Sequence, residues 1–224
     1  MPIRPLLLGH RGARIEKSIP ENSLASFDRA LAHGCDGFEF DVRRTLDGQP
    51  VICHDASIQG REVAQSTVPT LTLPLLQDIL QRYQTSAFLD VELKVPGLES
   101  VTLELLRTFP ARRGYVISSF LPEALQTIHD MDGTIVLGLI CETQVQANLW
   151  PTLPVSFVIL HSKLVTASLI AQIKATGRKV FVWTVNSKSQ MLKFARWKVD
   201  GIISDDPARL VSTLHPQAEN KGKR

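Results

Sequence analysis

Short runs rich in Val, Ile, Leu and Phe alternate with longer patterns of helical periodicity, and this alternation constrains the fold more than any other feature. It is typical of repeated βα units built around a parallel sheet. Nine runs have the character of strands: 6–10, 37–42, 51–54, 87–94, 115–120, 135–140, 157–161, 179–185 and 201–204. Helical patterns fill most of the gaps: 22–33, 73–83, 98–109, 122–131, 143–149, 165–176 and 187–197.

The link between runs 37–42 and 51–54 decides which run does not belong to the parallel sheet. Parallel neighbours need a crossover of about a dozen or more residues, and this link is shorter and contains Asp47-Gly48. Asp-Gly is a hairpin signal. We therefore expect 51–54 to return antiparallel after the second strand and to bring His54 back to the rim. Eight strands then remain for a closed barrel.

Residues at the ends of the helical patterns support this division of the chain. Gly34 and Gly177 lie where glycines commonly end helices, and Pro122 and Pro207 suit helix starts. No linker or shift in composition marks a domain boundary within the 224 residues. The sequence predicts an α/β fold, a single (β/α)8 TIM barrel over residues 1–215 with a short β-hairpin excursion after its second strand. Residues 216–224 are expected to form a basic C-terminal tail.

Acidic residues on two predicted strands indicate a metal site. Glu39 and Asp41 are two apart and face the same way, and Asp90, Glu92 and Lys94 share one face of the strand 87–94. Buried like charges are costly unless they are paired or bind a cation. This oxygen-rich set suits Mg²⁺ or Ca²⁺ better than zinc. The alternative is an internal salt-bridge cluster of Asp90, Glu92 and Lys94.

Two histidines, His10 and His54, each end a predicted strand run. Each could ligate a metal or be a satisfied core histidine. Because Arg11 follows His10 and Asp55 follows His54, the pair fits better as an acid and a base flanking a phosphoryl group. Arg11 would then be a fork-shaped phosphate donor. Alternatively, Asp55 is an ordinary turn residue.

Motifs along nearly the whole chain carry a family resemblance. They are His-Arg-Gly at 10–12, Pro-Glu-Asn-Ser at 20–23, the run 34–42 containing Glu-Phe-Asp, Thr-Leu-Asp-Gly at 45–48, His-Asp at 54–55, Glu-Leu-Lys at 92–94, Ser-Ser-Phe at 118–120, Val-Trp-Thr-Val-Asn at 182–186 and the run 200–207. In order and spacing they resemble the glycerophosphodiester phosphodiesterase family. Each motif alone is weak, and the joint pattern is specific.

The resemblance implies an enzyme that hydrolyses glycerophosphodiesters to sn-glycerol 3-phosphate and an alcohol on a (β/α)8 barrel with a divalent cation, Ca²⁺ or Mg²⁺. Its metal ligands would be Glu39, Asp41 and Glu92. It further implies His10 and His54 as the catalytic acid and base, and contacts from Arg11 and Lys94 to the phosphate. Asn22 becomes a candidate site residue, with a helix cap as its alternative.

The chain departs from the family pattern after His54. The family commonly carries an insertion of several tens of residues there, whereas only residues 56–72 precede the next helical pattern. We expect a more open pocket, which leaves the choice of alcohol undetermined. Phe120 and Trp183 are predicted to line the substrate pocket, together with His161 as a further candidate, and each has ordinary barrel packing as its alternative.

Composition excludes several other classes of protein. Lys plus Arg total 25 against 22 for Asp plus Glu, which gives no support to nucleic-acid binding. The three cysteines lie in apolar segments and suit a reducing compartment, and no apolar run is long enough for a membrane span. We expect a cytoplasmic enzyme acting on a small-molecule phosphodiester, without stable membrane association. The rival functions are a barrel phosphodiesterase acting on lysophospholipids or phosphoinositides, and a non-catalytic phosphate-ester-binding barrel.

Overall fold

Eight parallel strands form a closed barrel in the computed structural model, which describes residues 4–215. The barrel strands are β1 (Leu6–His10), β2 (Gly37–Arg44), β6 (Phe88–Leu93), β7 (Tyr115–Ser119), β8 (Leu137–Cys141), β9 (Phe157–His161), β10 (Lys179–Trp183) and β11 (Gly201–Ser204). The barrel closes because β1 pairs in parallel with both β2 and β11, the last strand. The predicted (β/α)8 barrel is confirmed. The predicted tail, 216–224, lies outside the described residues.

Helices follow the barrel strands and cover the outside of the sheet. They are α1 (Leu24–Ala32), α2 (Val68–Leu71), α3 (Leu76–Tyr83), α4 (Glu99–Thr108), α5 (Pro122–Met131), α6 (Gln144–Ala147), α7 (Ala167–Ala175), α8 (Lys188–Arg196) and α9 (Pro207–Leu214). Gly34 and Gly177 follow α1 and α7 with φ of 97° and 81°, the left-handed conformation expected of helix-ending glycines.

The hairpin excursion predicted after the second strand is confirmed. Strand β2 overshoots the barrel and turns back through Gly48, whose φ of 79° suits only glycine without strain. The returning strand β3 (Pro50–Ile52) pairs antiparallel with it, with Val42 opposite Ile52. This turn carries the following segment, which includes His54, back toward the barrel mouth.

The segment after β3 forms a small substructure that the sequence did not predict. It contains a two-stranded hairpin, β4 (Ser57–Ile58) and β5 (Arg61–Glu62), a 3₁₀ turn at Val63–Gln65 and the short helix α2. Val51, Cys53, Val63 and Leu71 bury their side chains together as a separate cluster beneath it. We call residues 53–75 the rim segment.

Aromatic side chains close the bottom of the barrel. The rings of Phe88, Phe157 and Phe181 pack with centroids 4.9–6.4 Å apart. Gly201 is required beside them, because a Cβ at this position would lie 2.5 Å from the Phe181 ring. With the lower interior filled by these groups, polar inward-facing side chains concentrate toward the carboxyl ends of the strands, where barrel enzymes hold their sites.

Two other sequence expectations concern cysteines and membranes. Cys35, Cys53 and Cys141 are buried free thiols. Burial raises the pKa of Cys35 and of Cys141 to about 12, so both stay protonated. In the region from residue 4 to residue 215, no helix is long and apolar enough to cross a bilayer.

Candidate active site

A cavity of about 270 Å³ opens at the carboxyl ends of the barrel strands. One half of its lining is ionisable and belongs to β1, β2, β6 and the residues that follow β1, β3 and β6: His10, Arg11, Glu39, His54, Asp90, Glu92 and Lys94. The other half belongs to β7–β11 and the residues that follow them: Phe120, Ile140, Glu142, Ile159, Trp183 and Ile203. Of the residues predicted to carry catalysis, bind the metal or contact substrate, Asp41 and the further candidate His161 are absent from this lining. Asp41 is buried beside Glu39 and Glu92.

Three carboxylates form a compact cluster in the wall of this cavity. Ligand oxygens of Glu39, Asp41 and Glu92 all lie within 4.8 Å of one another. The adjacent strands explain this, because Glu39 is paired with Asp90 and Asp41 with Glu92 in the β2–β6 register. The exposed fractions of the three residues are 4%, 1% and 7%, so little solvent screens their mutual repulsion.

Burial and mutual repulsion disfavour the ionised forms of several of these acids. Burial raises the pKa of Glu39 well above its usual range, and neighbouring Asp41 and Glu92 raise it further. Burial and the charge of Asp41 likewise raise the pKa of Glu92 to about 7. Burial also raises the pKa of Asp90 to about 7, although Ser118 donates a 2.6 Å hydrogen bond to its Oδ1.

Asp41 is the carboxylate that the protein itself keeps ionised. Burial raises its pKa, but Lys94 and Arg11 more than offset this, and the net shift is downward. The Lys94 Nζ lies 3.3 Å from its Oδ1, and the Arg11 Nε lies 3.1 Å from its Oδ2. Asn22 donates a 2.8 Å hydrogen bond from Nδ2 to the same Oδ2.

Asn22 therefore lies at the candidate site, and the alternative interpretation of Asn22 as a helix cap is wrong. The cap of α1 is Ser23, whose side chain accepts from the Ser26 amide. Asn22 adopts a left-handed φ of 55°, which asparagine tolerates better than most residues. It also accepts a 3.3 Å hydrogen bond from the Asp41 amide, so one side chain fixes both the backbone and the carboxylate of Asp41.

The donor set fits a hard divalent cation. Oε1 of Glu39 is buried and has no hydrogen-bond partner in the part of the chain that the structure describes. An unpaired carboxylate oxygen beside two further carboxylates is electrostatically unfavourable unless a cation joins them. Histidine and cysteine, the ligands typical of zinc, take no part in the cluster. This buried acidic cluster can hold a divalent cation.

Lys94 also forms an ion pair with Glu92, which is part of the alternative salt-bridge cluster of Asp90, Glu92 and Lys94. Its Nζ lies 2.6 Å from Glu92 Oε1, so a salt bridge within the strand's inward face is present. Asp90 does not join it, because its partner is Ser118 on β7. Lys94 and Arg11 together offset at most two of the four neighbouring acids, so full ionisation of the cluster stays unfavourable without a further cation.

Arg11 occupies a tight turn directly after β1. Its φ of 51° and the φ of 83° at Gly12 are both left-handed. Its amide donates a 3.1 Å hydrogen bond to Glu39 Oε2, and its Nη1 donates a 2.6 Å bond to Glu21. The guanidinium is thereby held at the cavity with Glu21 on one side and Asp41 on the other.

His10 is oriented by Asp205, a residue that the sequence analysis did not single out as part of the site. Its Nδ1 forms a 2.7 Å hydrogen bond with Asp205 Oδ1, and its Nε2 points toward Glu39, 3.8 Å from Oε2. Burial raises the pKa of Asp205, but the bonds from His10 and Asn186 more than compensate and hold it well below its usual range. Asn186 donates a 2.6 Å bond to Oδ2.

His54 lies in the rim segment, just past the end of β3. Its Nδ1 is 2.7 Å from Oδ1 of Asp55, so Asp55 is more than a turn residue. The Nε of Arg43 donates a 2.7 Å bond to the main-chain oxygen of His54 and fixes its backbone against β2. The Asp55 side chain is 77% exposed, which makes this histidine–carboxylate pair much more solvated than that of His10.

Aromatic residues form the apolar side of the cavity. Trp183 packs edge-on against Phe120 and His161, with ring centroids 5.8 Å and 5.2 Å apart. His161 contacts Trp183 without lining the cavity itself. The indole Nε1 of Trp183 is buried with no hydrogen-bond partner between residues 4 and 215, and it is a donor available to a ligand.

Fold and site together define a (β/α)8-barrel protein whose mouth combines a buried acidic cluster, able to hold a divalent cation, with cationic side chains suited to an anionic ligand. Comparison with known sequences agrees with this class. The sequence model of the Glycerophosphoryl diester phosphodiesterase family matches residues 10–104 and 90–209, and the chain belongs to this family. The predicted family and enzyme class are confirmed.

Known relatives and solved structures match over almost the whole chain. A glycerophosphodiester phosphodiesterase of Caldanaerobacter subterraneus subsp. tengcongensis is 28% identical over 241 residues, covering 95% of this chain and 98% of the relative. A glycerophosphodiester phosphodiesterase from Parabacteroides distasonis superposes with a TM-score of 0.85 at 22% identity, covering 96% of this chain and 99% of the other. An Oleispira antarctica phosphodiesterase in complex with the product sn-glycerol-3-phosphate gives a TM-score of 0.83 at 25% identity, covering 94% and 96%.

Proposed function

We propose that this protein hydrolyses glycerophosphodiesters to sn-glycerol 3-phosphate and an alcohol, with Ca²⁺ or Mg²⁺ held by Glu39, Asp41 and Glu92. The observation that carries the proposal is the convergence of these carboxylates, two histidines and two cationic side chains on one cavity. Support also comes from the Oleispira antarctica relative, whose structure contains sn-glycerol-3-phosphate. A bound divalent cation supplies positive charge to phosphate oxygens and lowers the pKa of a hydroxyl that it coordinates.

The cationic side chains hold and neutralise the phosphate. Arg11 presents its guanidinium at the cavity while Glu21 and Asp41 fix its plane, an arrangement suited to the forked geometry of phosphate oxygens. Lys94 projects from the end of β6 as a compact positive charge between Asp41 and Glu92. In the low-dielectric cavity, these two charges offset the negative charge that develops during phosphoryl transfer.

His10 acts as the general acid and His54 as the general base. Asp205 supports this assignment, because a largely buried carboxylate bound to Nδ1 stabilises the protonated ring and leaves Nε2 to give its proton to the leaving alkoxide. His54 has the more exposed partner, Asp55, and takes the proton of the nucleophile. That nucleophile is either the neighbouring glycerol hydroxyl, which would give a cyclic phosphate opened in a second step, or water. Each proton transfer of this type contributes about 10²–10⁴-fold.

The test is the hydrolysis of glycerophosphocholine followed by phosphorus NMR, which resolves sn-glycerol 3-phosphate and a cyclic glycerophosphate. We expect wild-type protein to release sn-glycerol 3-phosphate, and His10→Ala and His54→Ala each to lose about 10²-fold or more in turnover. His129→Ala, a change on the outer helix α5, is the matched control. Turnover of both variants within tenfold of wild type would contradict the two-histidine mechanism.

A further inference from the structure

Charge is divided unevenly around the mouth of the cavity. Every cationic lining residue lies on the half formed by β1, β2, β6 and the rim segment. On the other half, formed by β7–β11 and the residues after them, Glu142 is the sole charged lining residue among those that the structure describes. A phosphodiester bound with its phosphate on the cationic half would direct one of its two ester groups toward this second half.

Glu142 is available to a ligand. Its side chain is exposed and takes part in no hydrogen bond or ion pair within residues 4–215. Its main chain is fixed, because Gln146 Oε1 accepts hydrogen bonds from the amides of Glu142 and Thr143 at 2.9 Å and 3.0 Å. The carboxylate is therefore held at the mouth by backbone contacts alone, and its substitution removes no contact that supports the fold.

Trp183 adds an aromatic surface to the same half. Its indole is half-buried and is braced edge-on by Phe120 and His161. The Phe120 ring already faces a cation, since Lys94 Nζ lies 5.6 Å from its centroid. Indole is the side chain that attracts cations most strongly, and aromatic faces combined with a nearby carboxylate recognise ammonium groups.

We propose that Glu142 and Trp183 form a subsite for a positively charged alcohol group, so that diesters of amino alcohols are preferred to diesters of neutral polyols. This inference rests on the proposed function, because it names the substrate class of the same site. An anionic alcohol group would be repelled by Glu142. An acyl chain would place apolar surface against a carboxylate that has no other partner within residues 4–215, which disfavours a lipid tail here.

The experiment compares kcat/KM for glycerophosphocholine with kcat/KM for glycerophosphoglycerol, whose alcohol group is neutral. We expect wild type to favour the choline diester, and Glu142→Gln to lower the ratio of the two values about fivefold. Glu142→Lys should lower the ratio further. The ratio in wild type should also fall as salt is raised, because an exposed carboxylate is screened.

Glu123→Gln is the matched control. Glu123 is exposed in the first turn of α5 on the preceding βα unit and does not line the cavity, so its loss should leave the ratio unchanged.

An equal ratio in wild type, Glu142→Gln and Glu142→Lys, with both diesters hydrolysed, would overturn the subsite while leaving the proposed function standing. Faster hydrolysis of lysophosphatidylcholine than of glycerophosphocholine would assign the half of the cavity formed by β7–β11 to an acyl chain. That result would also overturn the proposed subsite. Hydrolysis of neither diester by wild type would refute the proposed function, and the subsite with it.

Discussion

The two histidines differ in the carboxylates that hold them. Asp205 is largely buried, with a side chain 15% exposed, and is held by both His10 and Asn186. The Asp55 side chain is 77% exposed, and its carboxylate bonds only to the neighbouring His54 among the described residues. A desolvated carboxylate stabilises an adjacent imidazolium more strongly than a solvated one. This asymmetry is the physical basis for giving the two rings opposite roles.

Replacing Asp205 with asparagine should lower kcat roughly 10²-fold while changing KM little. The introduced amide would keep the shape of the side chain but would lose the charge that supports the protonated ring of His10. The measurement is kcat and KM for glycerophosphocholine at one fixed pH near neutrality.

Asp206→Asn is the control for this prediction, because Asp206 is adjacent to Asp205 but caps α9. It should lower stability by up to about 1 kcal/mol and leave kcat and KM as in wild type. An Asp205→Asn enzyme with the kcat of wild type would show that Asp205 has no positioning role.

The sequence alone indicates most of the side chains that converge on the cavity, but it does not indicate the residues that orient them. His10 and Glu39 stand out because charge at the end of an apolar strand needs an explanation. Asp205 lies 195 positions from His10 along the chain, and in the sequence it resembles any acid before a helix. Asn22 was ambiguous for the same reason, since its hydrogen bond to Asp41 is visible only once α1 and β2 are packed together.

At the scale of secondary structure, strong hydrophobic periodicity was sufficient to predict most of the helices and strands. The predicted start and end of the helix 122–131 coincide with α5, and the predicted hairpin return at 51–54 contains β3 except for its first residue. The rim segment could not be predicted, because its strands have two residues each and α2 has four. Segments of this length acquire their conformation from tertiary packing and carry too few residues to show a period.

The rim segment should open independently of the barrel. Leu71 is one of four residues in the small cluster beneath it, so Leu71→Ala should increase amide hydrogen exchange in residues 53–75. Because His54 belongs to this segment, kcat should fall severalfold. Hydrogen-exchange mass spectrometry and steady-state kinetics on the variant measure both effects.

Leu103→Ala provides the comparison, since Leu103 is buried in the main core on α4. A core Leu→Ala change costs roughly 2–5 kcal/mol, and here it should lower Tm while leaving kcat and the exchange of the rim segment as in wild type. Unchanged exchange in 53–75 for Leu71→Ala, with a Tm loss equal to that of Leu103→Ala, would mean that segment and barrel unfold as one unit.

At the scale of the whole molecule, the acid cluster opposes folding at neutral pH when no cation is bound. Glu92 and Asp90 have folded pKa values of about 7, whereas carboxyl groups in unfolded chains titrate near about 4. Between these pH values the unfolded chain has released protons that the folded protein still binds. The contribution of these groups to stability therefore falls as pH rises from about 4 through 7.

Cation binding should reverse this trend. At a fixed saturating Ca²⁺ concentration, the increase in Tm over an EDTA-treated sample should be small near about pH 5 and should grow through about pH 7. A shift of several degrees at about pH 8 corresponds to roughly 2–3 kcal/mol of binding-linked stability. Differential scanning calorimetry measures it, with Glu92→Gln and an equal ionic strength of Na⁺ as controls. A Ca²⁺-induced shift independent of pH, or equal in Glu92→Gln, would contradict the assignment.

The proposed function depends most on the claim that Glu39, Asp41 and Glu92 hold a cation required for phosphodiester hydrolysis. Its most direct test is the initial rate of sn-glycerol 3-phosphate release from glycerophosphocholine by protein stripped with EDTA, before and after Ca²⁺ or Mg²⁺ is added. We predict that EDTA reduces the rate at least about 10²-fold and that one of the two cations restores it, whereas Glu39→Gln is not restored by the same addition. A full rate in the stripped protein would contradict the claim.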